Sequence, residues 1–304
     1  MAIVSVENLK MSYDKGRVKA LKGVTFDVEE GEIFGLIGPD GAGKTSLFRI
    51  LTTLLLADSG KAVVDGMDVV NDYKKIRQHI GYMPGRFSLY QDLTVEENLS
   101  FFATVFNTTI EENYHLVEDI YRQIEPFKKR KAGKLSGGMK QKLALSCALL
   151  HAPHVLFLDE PTTGVDPVSR KEFWEMLQKL KKNFKLSIVV STPYMDEALQ
   201  CDRIALIQDG QFLTIDTPEN IIRTYTQTLW SLRSDKMHKL LTDLRGIDGV
   251  KTAFAFGENH HATIDTSVLT VDSLRNRLVS LGHRNIVIEV VEPTIEDCFM
   301  NLQK

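Results

Sequence analysis

Hydrophobic and polar positions change period several times along the chain, and each change predicts a different element. Near the start, Ile3-Val-Ser-Val6 and Val24-Thr-Phe-Asp-Val28 alternate in steps of two. That spacing puts one strand face on a core and the other in water, as in an antiparallel sheet. A turn-rich stretch, Tyr13-Asp-Lys-Gly-Arg17, joins them. Four later runs are almost continuously apolar: residues 32–37, 155–158, 186–190 and 203–207. Runs of this kind suit parallel strands covered on both faces. Helical spacing appears over residues 45–56, 74–79 and 168–181, and short strands are predicted at 62–66 and 80–83.

Beyond Pro84-Gly85, residues 94–149 are mostly helical in pattern. Thr94-Val-Glu-Glu97 has the form of a capping box and predicts a helix start. A second helix is expected over 110–124, ended by Pro126, and a third begins near Ser136. Between them, Lys128-Lys-Arg-Lys131 is either a solvated loop or a contact for acidic groups or lipid headgroups. A strand core interrupted by a helical insert therefore runs to about residue 222. From about residue 228 a separate cycle begins. A strand at 229–233, a helix at 235–244, a hairpin of 250–256 with 262–265, a helix at 271–281 and a strand at 286–291 make the split β-α-β order, β-α-β-β-α-β. A short helix at 295–302 follows.

Composition narrows this picture little. Hydrophobic residues are 43% and charged residues 25%, as in ordinary globular chains. A net charge of −3 gives no sign of a nucleic-acid partner, for which a basic domain is expected. Cys147, Cys201 and Cys298 lack metal or redox spacing, which suits a reducing compartment. No signal peptide is expected at the start, and no apolar run approaches the roughly 20 residues that span a bilayer. Membrane association is expected only through a partner.

Chemistry enters at Gly38, Pro39, Asp40, Gly41, Ala42, Gly43, Lys44, Thr45 and Ser46, which follow an apolar strand and open a helix. The spacing G-x-x-x-x-G-K-[ST] is that of a phosphate-binding loop. Glycines let backbone N–H groups turn toward phosphate oxygens, and the helix start adds a positive dipole end. Lys44 would reach the β- and γ-phosphates, and the Thr45 hydroxyl would ligate Mg²⁺. A second apolar strand, 155–158, ends in Asp159 and Glu160. At the carboxyl end of a parallel strand they would face the same crevice. Asp159 would hold Mg²⁺ through water, and Glu160 would polarise an attacking water. An acidic turn would look the same in isolation; the upstream loop favours the functional reading. Ser136, Gly137 and Gly138 place free N–H groups at another helix start, a second anion site.

Together these stretches resemble the nucleotide-binding domain of an ATP-binding cassette (ABC) transporter. The phosphate loop, Leu135-Ser-Gly-Gly138, Leu158-Asp-Glu-Pro161 and Gly164-Val-Asp-Pro167 occur in that family's order. The resemblance implies an α/β P-loop NTPase core with an antiparallel β subdomain over residues 1–222, with its helical subdomain at about 86–150. It also implies a small accessory α+β domain, ferredoxin-like, at 228–304. Within the family, drug or polysaccharide exporters are most similar, since many end in a stretch like Pro293-Thr-Ile-Glu-Asp297. Two such domains would sandwich two ATP molecules, with Ser136, Gly137 and Gly138 acting on a partner's nucleotide. Tyr13 stands where the family stacks an aromatic on adenine, and Asp166 would couple the two sites. The insert and residues 86–93 would face a membrane permease, with Phe87, Leu89 and Tyr90 docking it. The chain would then sit on the inner face of the cell membrane.

Two positions depart from the family. Gly85 replaces a Gln that touches Mg²⁺ and water, and Pro193 replaces a His that contacts the γ-phosphate. Gln91 is six residues from the first. Pro193 is expected at the first position of a helix 194–200, N-capped by Thr192. Slow hydrolysis at the chain's own loop is expected, and the second domain is either another copy of this chain or, favoured, a non-identical partner supplying the active site. An ABC-type ATPase without a permease, and a purely regulatory ATP-binding subunit, remain as alternatives.

Overall fold

A computed structural model describes residues 2–86 and 88–303; Phe87, expected to dock a permease, lies outside the described residues. The chain divides into two compact units, residues 1–218 and 219–304. The first opens with β1 (Ala2–Tyr13), β2 (Val18–Glu29), β3 (Ile33–Ile37), α1 (Lys44–Leu51), β4 (Ser59–Val64), β5 (Met67–Asp68), α2 (Tyr73–His79) and β6 (Ile80–Met83). The helical insert holds α3 (Val95–Val105), α4 (Tyr114–Ile124) and α5 (Gly137–Leu149). Then come β7 (Val155–Asp159), α6 (Pro167–Phe184), β8 (Ser187–Thr192), β9 (Arg203–Gln208) and β10 (Gln211–Asp216).

Two sheets result, with orders β2-β1-β4-β5 and β10-β9-β3-β8-β7-β6. The first is antiparallel: Val4 pairs with Val28 and Val6 with Phe26, all four buried. Strands β9, β3, β8, β7 and β6 run parallel, and β10 returns antiparallel at one edge. Strands β3 and β7 are buried at every position, as their unbroken apolar pattern requires. Phe26 stacks on Phe34 at 5.3 Å and joins the sheets. Phe48 of α1 meets Phe157 of β7 edge-on at 5.8 Å. The helix after the phosphate loop is thereby packed onto the strand that carries Asp159.

Two helices differ from the pattern. α1 ends at Leu51 rather than continuing to residue 56. Leu54 N–H donates to Arg49 C=O and Thr53 N–H to Ile50 C=O, the double closure that ends many helices. It needs a left-handed residue, and Thr53 takes φ +63°, where glycine is usual. Arg77 steadies it, donating to the Thr53 hydroxyl at 2.8 Å and to its carbonyl at 2.9 Å. The apolar residues that extended the pattern, Leu54 and Leu56, are more than half exposed. α4 starts at Tyr114 instead of 110. Thr109 and Glu112 exchange side-chain and backbone hydrogen bonds at 3.2 Å, a local turn that competes with helix.

A helix α7 (Pro218–Arg223) starts at the last residue of the first unit and runs into the second, where β11 (Thr228–Arg233), α8 (Met237–Arg245), β12 (Val250–Phe256), β13 (Asn259–Ile264), α9 (Val271–Ser280) and β14 (Val287–Val290) follow, then α10 (Ile295–Leu302). The sheet order is β12-β13-β11-β14, all antiparallel. That is the split β-α-β arrangement. Leu240, Leu244, Leu274 and Leu278 of the two long helices pack with Trp230, Ala262 and Ile264. α10 begins with a capping box from Thr294 and Asp297, and buried His261 meets Asp297 at 2.8 Å.

Burial alone would raise the Asp297 carboxyl; hydrogen bonds from His261 and from Thr294 outweigh it and hold the group below the usual carboxylate range. A lowered folded value stabilises the unit above the unfolded pKa, near 3.9, and that stability is lost as pH falls through the folded value. Asp297→Asn is expected to cost about 1–3 kcal/mol at pH 7. Urea midpoints of the two proteins, followed from pH 7 downward, should converge below about pH 3.

Candidate functional site

The carboxyl ends of β3, β7 and β8 lie side by side, so the loops that leave them share one crevice. The first loop, residues 38–43, is shaped by its glycines. Gly43 has φ +107° and directly precedes α1, and a Cβ there would stand 2.3 Å from Ala20 C=O. At Gly38 a Cβ would stand 2.1 Å from Ile207 C=O. That clash is with backbone, so no side-chain rotation relieves it. Gly38→Ala is expected to destabilise the first unit by about 3 kcal/mol. Differential scanning should show a loss of about 2–4 °C for each kcal/mol.

Lys44 is 3% exposed. Its ammonium donates to Gly38 C=O at 2.8 Å and Pro39 C=O at 2.9 Å, and stands 3.3 Å from Glu160 Oε1. A buried cation is thus held at the loop's centre by two carbonyls and one carboxylate. Asp159 ends β7, 2% exposed, and accepts the Ser191 hydroxyl at 2.6 Å. Ser191 in turn accepts the Glu160 N–H at 3.1 Å. Glu160 has φ +50°, a left-handed backbone costing on the order of 1–2 kcal/mol for a residue with a Cβ. The twist turns its carboxylate off the strand and toward Lys44. Burial and the Asp159 charge push the neighbouring Tyr82 phenol up to about 12, so it stays neutral.

An open cleft of about 650 Å³ is lined by Tyr13, Gly41, Gly43, Lys44, Thr45, Ser46 and Glu160. Pro39 and Asp40 are exposed on the loop's outer bend, while Gly38 and Ala42 are buried beneath it. Tyr13 is 36% exposed, and its hydroxyl bonds Ser46 Oγ at 3.0 Å, so the ring is fixed at the cleft wall. Arg17, Lys19, Lys22 and Asp209 also line it, and sequence reasoning missed them. The β1–β2 hairpin carries the three cations to the loop, a placement that no linear motif encodes. The Asp159 carboxylate and the Thr45 hydroxyl are hard-oxygen donors, the chemistry that suits Mg²⁺.

Ser136, Gly137 and Gly138 are not part of this cleft. Ser136 caps α5, accepting Met139 N–H at 3.3 Å. A Cβ at Gly138 would stand 2.6 Å from Ser169 Oγ, and one at Gly137 would stand 3.6 Å from Gly164 C=O. They share a face with the start of α6, where Asp166 caps the helix by accepting Ser169 N–H at 3.0 Å. The two helix starts, at Lys44 and at Gly137, therefore lie on separate faces of the first unit.

At Gly85 a Cβ would stand 3.1 Å from Asp159 C=O. The position abuts the strand that ends in Asp159, with no side chain directed at it. Gln91 lies instead against Gly133, whose N–H it accepts through its carbonyl at 2.9 Å. Pro193 does not open an α-helix as expected. Residues Met195–Gln200 form a 3₁₀ helix that begins after Tyr194. Thr192 does accept Tyr194 N–H, at 3.1 Å, but its hydroxyl also donates to buried Glu197 at 2.6 Å. Glu197 takes two further bonds, from Thr162 and Arg170, both at 3.1 Å. That network tightens the turn and keeps Pro193 outside it.

Residues 21–163 match the ABC transporter family. The chain is 42% identical over 221 residues to a probable multidrug ABC transporter ATP-binding protein, YbhF of Escherichia coli; the alignment covers 71% of this chain and 38% of that protein. The linearmycin resistance ATP-binding protein LnrL of Bacillus subtilis is 30% identical over 99% of this chain and 98% of its own length. The doxorubicin resistance ATP-binding protein DrrA of Mycobacterium tuberculosis is 33% identical, over 90% and 80%. Among solved structures, a dimeric post-hydrolysis state of the cassette MJ0796 bound to ADP and Pi superposes with a TM-score of 0.64 at 26% identity, over 70% of this chain and 98% of that one. The cassette cbiO1 from Clostridium perfringens, part of the transporter complex cbiONQ, gives 0.64 at 28%, over 73% and 94%.

Proposed function

We propose that this chain, which belongs to the ABC transporter family, is the ATP-binding subunit of a membrane exporter and drives its permease by binding nucleotide between two cassettes. The observation that carries this is the separation of the phosphate-loop cleft from the Ser136 face within one chain. Each is half of a site, and a second cassette completes both. Tyr13 stacks adenine, Lys44 and the amides of residues 41–46 hold the phosphates, and Glu160 orients water. Ser136, Gly137 and Gly138 reach the partner's γ-phosphate, and Asp166 links the two sites. Thr45 and Asp159 hold Mg²⁺, which neutralises phosphate charge when bound. Export is supported by the drug-resistance names of the relatives.

No helix among the described residues is long and apolar enough to cross a membrane, so the permease is a separate partner or segment. An apolar groove of about 370 Å³ between the core and the insert, lined by Leu54, Tyr82, Leu89, Phe102, Val105 and Ala144 among others, is where it docks. Tyr90 and Phe101 pack edge-on beside the groove at 4.8 Å, both exposed. Val105→Arg, at a position 54% exposed, is expected to keep ATP binding within twofold and to lose co-purification with the permease. Retained co-purification would sink the docking reading.

A second observation favours slow hydrolysis at this loop. Position 85 offers Asp159 no side chain, and Pro193 brings neither a donor side chain nor an N–H. The active site then lies on a non-identical partner, completed by this chain's Ser136. A purified homodimer with ordinary turnover would contradict this.

A further inference from the structure

At the opposite end of β7 from Asp159, three side chains converge from three separate elements. Asp65 lies in the turn after β4, His79 ends α2, and His154 directly precedes β7. Asp65 Oδ2 is 2.6 Å from His79 Nδ1 and 2.8 Å from His154 Nδ1. The imidazole rings stand 4.8 Å apart and edge to face. One ligand atom from each residue lies within 4.8 Å of the others. We propose that Asp65, His79 and His154 form a binding site for a divalent transition ion of the zinc class, distinct from the nucleotide cleft.

The geometry suits the ion in three ways. Both Nδ1 atoms are within hydrogen-bonding reach of one carboxylate oxygen, so their in-plane directions meet near that point. Zinc–nitrogen bonds are about 2.0–2.1 Å and zinc–carboxylate bonds about 2.0–2.2 Å. The ion is therefore accommodated if the Asp65 side chain withdraws and each imidazole closes by roughly half an ångström. The proton that each Nδ1 donates to Asp65 moves to Nε2 of the same ring, or to solvent from a charged ring. Two imidazoles and one carboxylate are a borderline donor set that favours zinc, cobalt or nickel over magnesium. The backbone is fixed beforehand: His154 N–H donates to His79 C=O at 2.8 Å, and Asp65 N–H donates to Ile3 C=O at 2.7 Å. His154 is 56% exposed and His79 39%, so an ion can enter and water can take the fourth position.

Bound there, the ion ties the antiparallel sheet to the end of α2 and to the root of β7. It is held by His154, which lies five residue steps from Asp159, about 16 Å at the usual strand rise. Its effect would be on the stiffness of the frame, not on the phosphates.

Full-length protein with any affinity tag removed is stripped with chelator and titrated with Co²⁺, then with Zn²⁺ in competition. The expected result is one ion per chain with the intense visible absorption of tetrahedral cobalt, and a rise in melting temperature with Zn²⁺. His154→Gln alters an exposed side chain and should fold, as circular dichroism will report. It is expected to weaken binding by more than about tenfold, and Asp65→Asn and His79→Gln likewise. His238→Gln, on the second unit, should change nothing. Absence of the cobalt band, or equal affinity in wild type and His154→Gln, overturns the proposal.

Discussion

Lys44→Ala is expected to lower ATP affinity by about two to three orders of magnitude and to remove transport. The effect follows from the partners Lys44 has within the loop. Its ammonium is buried, satisfied by Gly38 and Pro39 carbonyls and by Glu160. An arriving phosphate offers charged oxygens in place of those carbonyls, and a charge-assisted bond is roughly twice as strong as a neutral one. Without Lys44, the phosphates lose that bond and Glu160 faces them as an uncompensated carboxylate. Truncating one partner of a buried, hydrogen-bonded charge pair costs about 2–5 kcal/mol, which at about 1.4 kcal/mol per tenfold is on the order of 10²–10³ in affinity. Equilibrium binding of a fluorescent ATP analogue reads the affinity, and drug efflux from cells reads transport. Efflux unchanged in Lys44→Ala would instead leave the chain a regulatory subunit.

The second large effect is a gain. Gly85→Gln with Pro193→His is expected to raise steady-state ATP turnover by about 10². Position 85 abuts Asp159, so a glutamine there reaches the site proposed above for metal and water. Its Cβ would stand 3.1 Å from Asp159 C=O, a tight fit that a shift of a few tenths of an ångström relieves. Gly85 is not among the glycines with positive φ, so the backbone accepts a side chain. A histidine at 193 restores a donor and a backbone N–H where there is neither. Phosphate release by purified wild type and double variant decides it; equal rates would show that other groups already fill both roles.

The parallel core was legible because burial on both faces leaves one sequence signature, the unbroken apolar run, at β3, β7, β8 and β9. The phosphate loop was legible because its glycines are required by backbone contacts, as at Gly38 and Gly43. What failed was local competition. Thr53 ended α1 in a conformation that its side chain disfavours, held there by Arg77, which is distant in sequence. Thr109 and Glu112 delayed α4 through bonds that a periodicity cannot register. Thr192 spent its hydroxyl on both Tyr194 and Glu197, and the turn became 3₁₀. The cleft's Arg17, Lys19 and Lys22, and the Asp65, His79 and His154 cluster, come from strand pairing and element ends. Neither has a linear spacing to find.

Gly85 also has a mechanical meaning. β6 is the edge strand of the parallel sheet, and the chain runs from it straight into the insert. Four residue pairs, from Ile80 with Val155 to Met83 with Leu158, join it to β7. Past Met83, a side chain at 85 would rest against Asp159 and turn any tug on the insert into a push on the end of β7. With glycine, any displacement of the insert reaches β7 through the backbone and the four strand pairs, with no side chain at 85 to add a direct contact on Asp159.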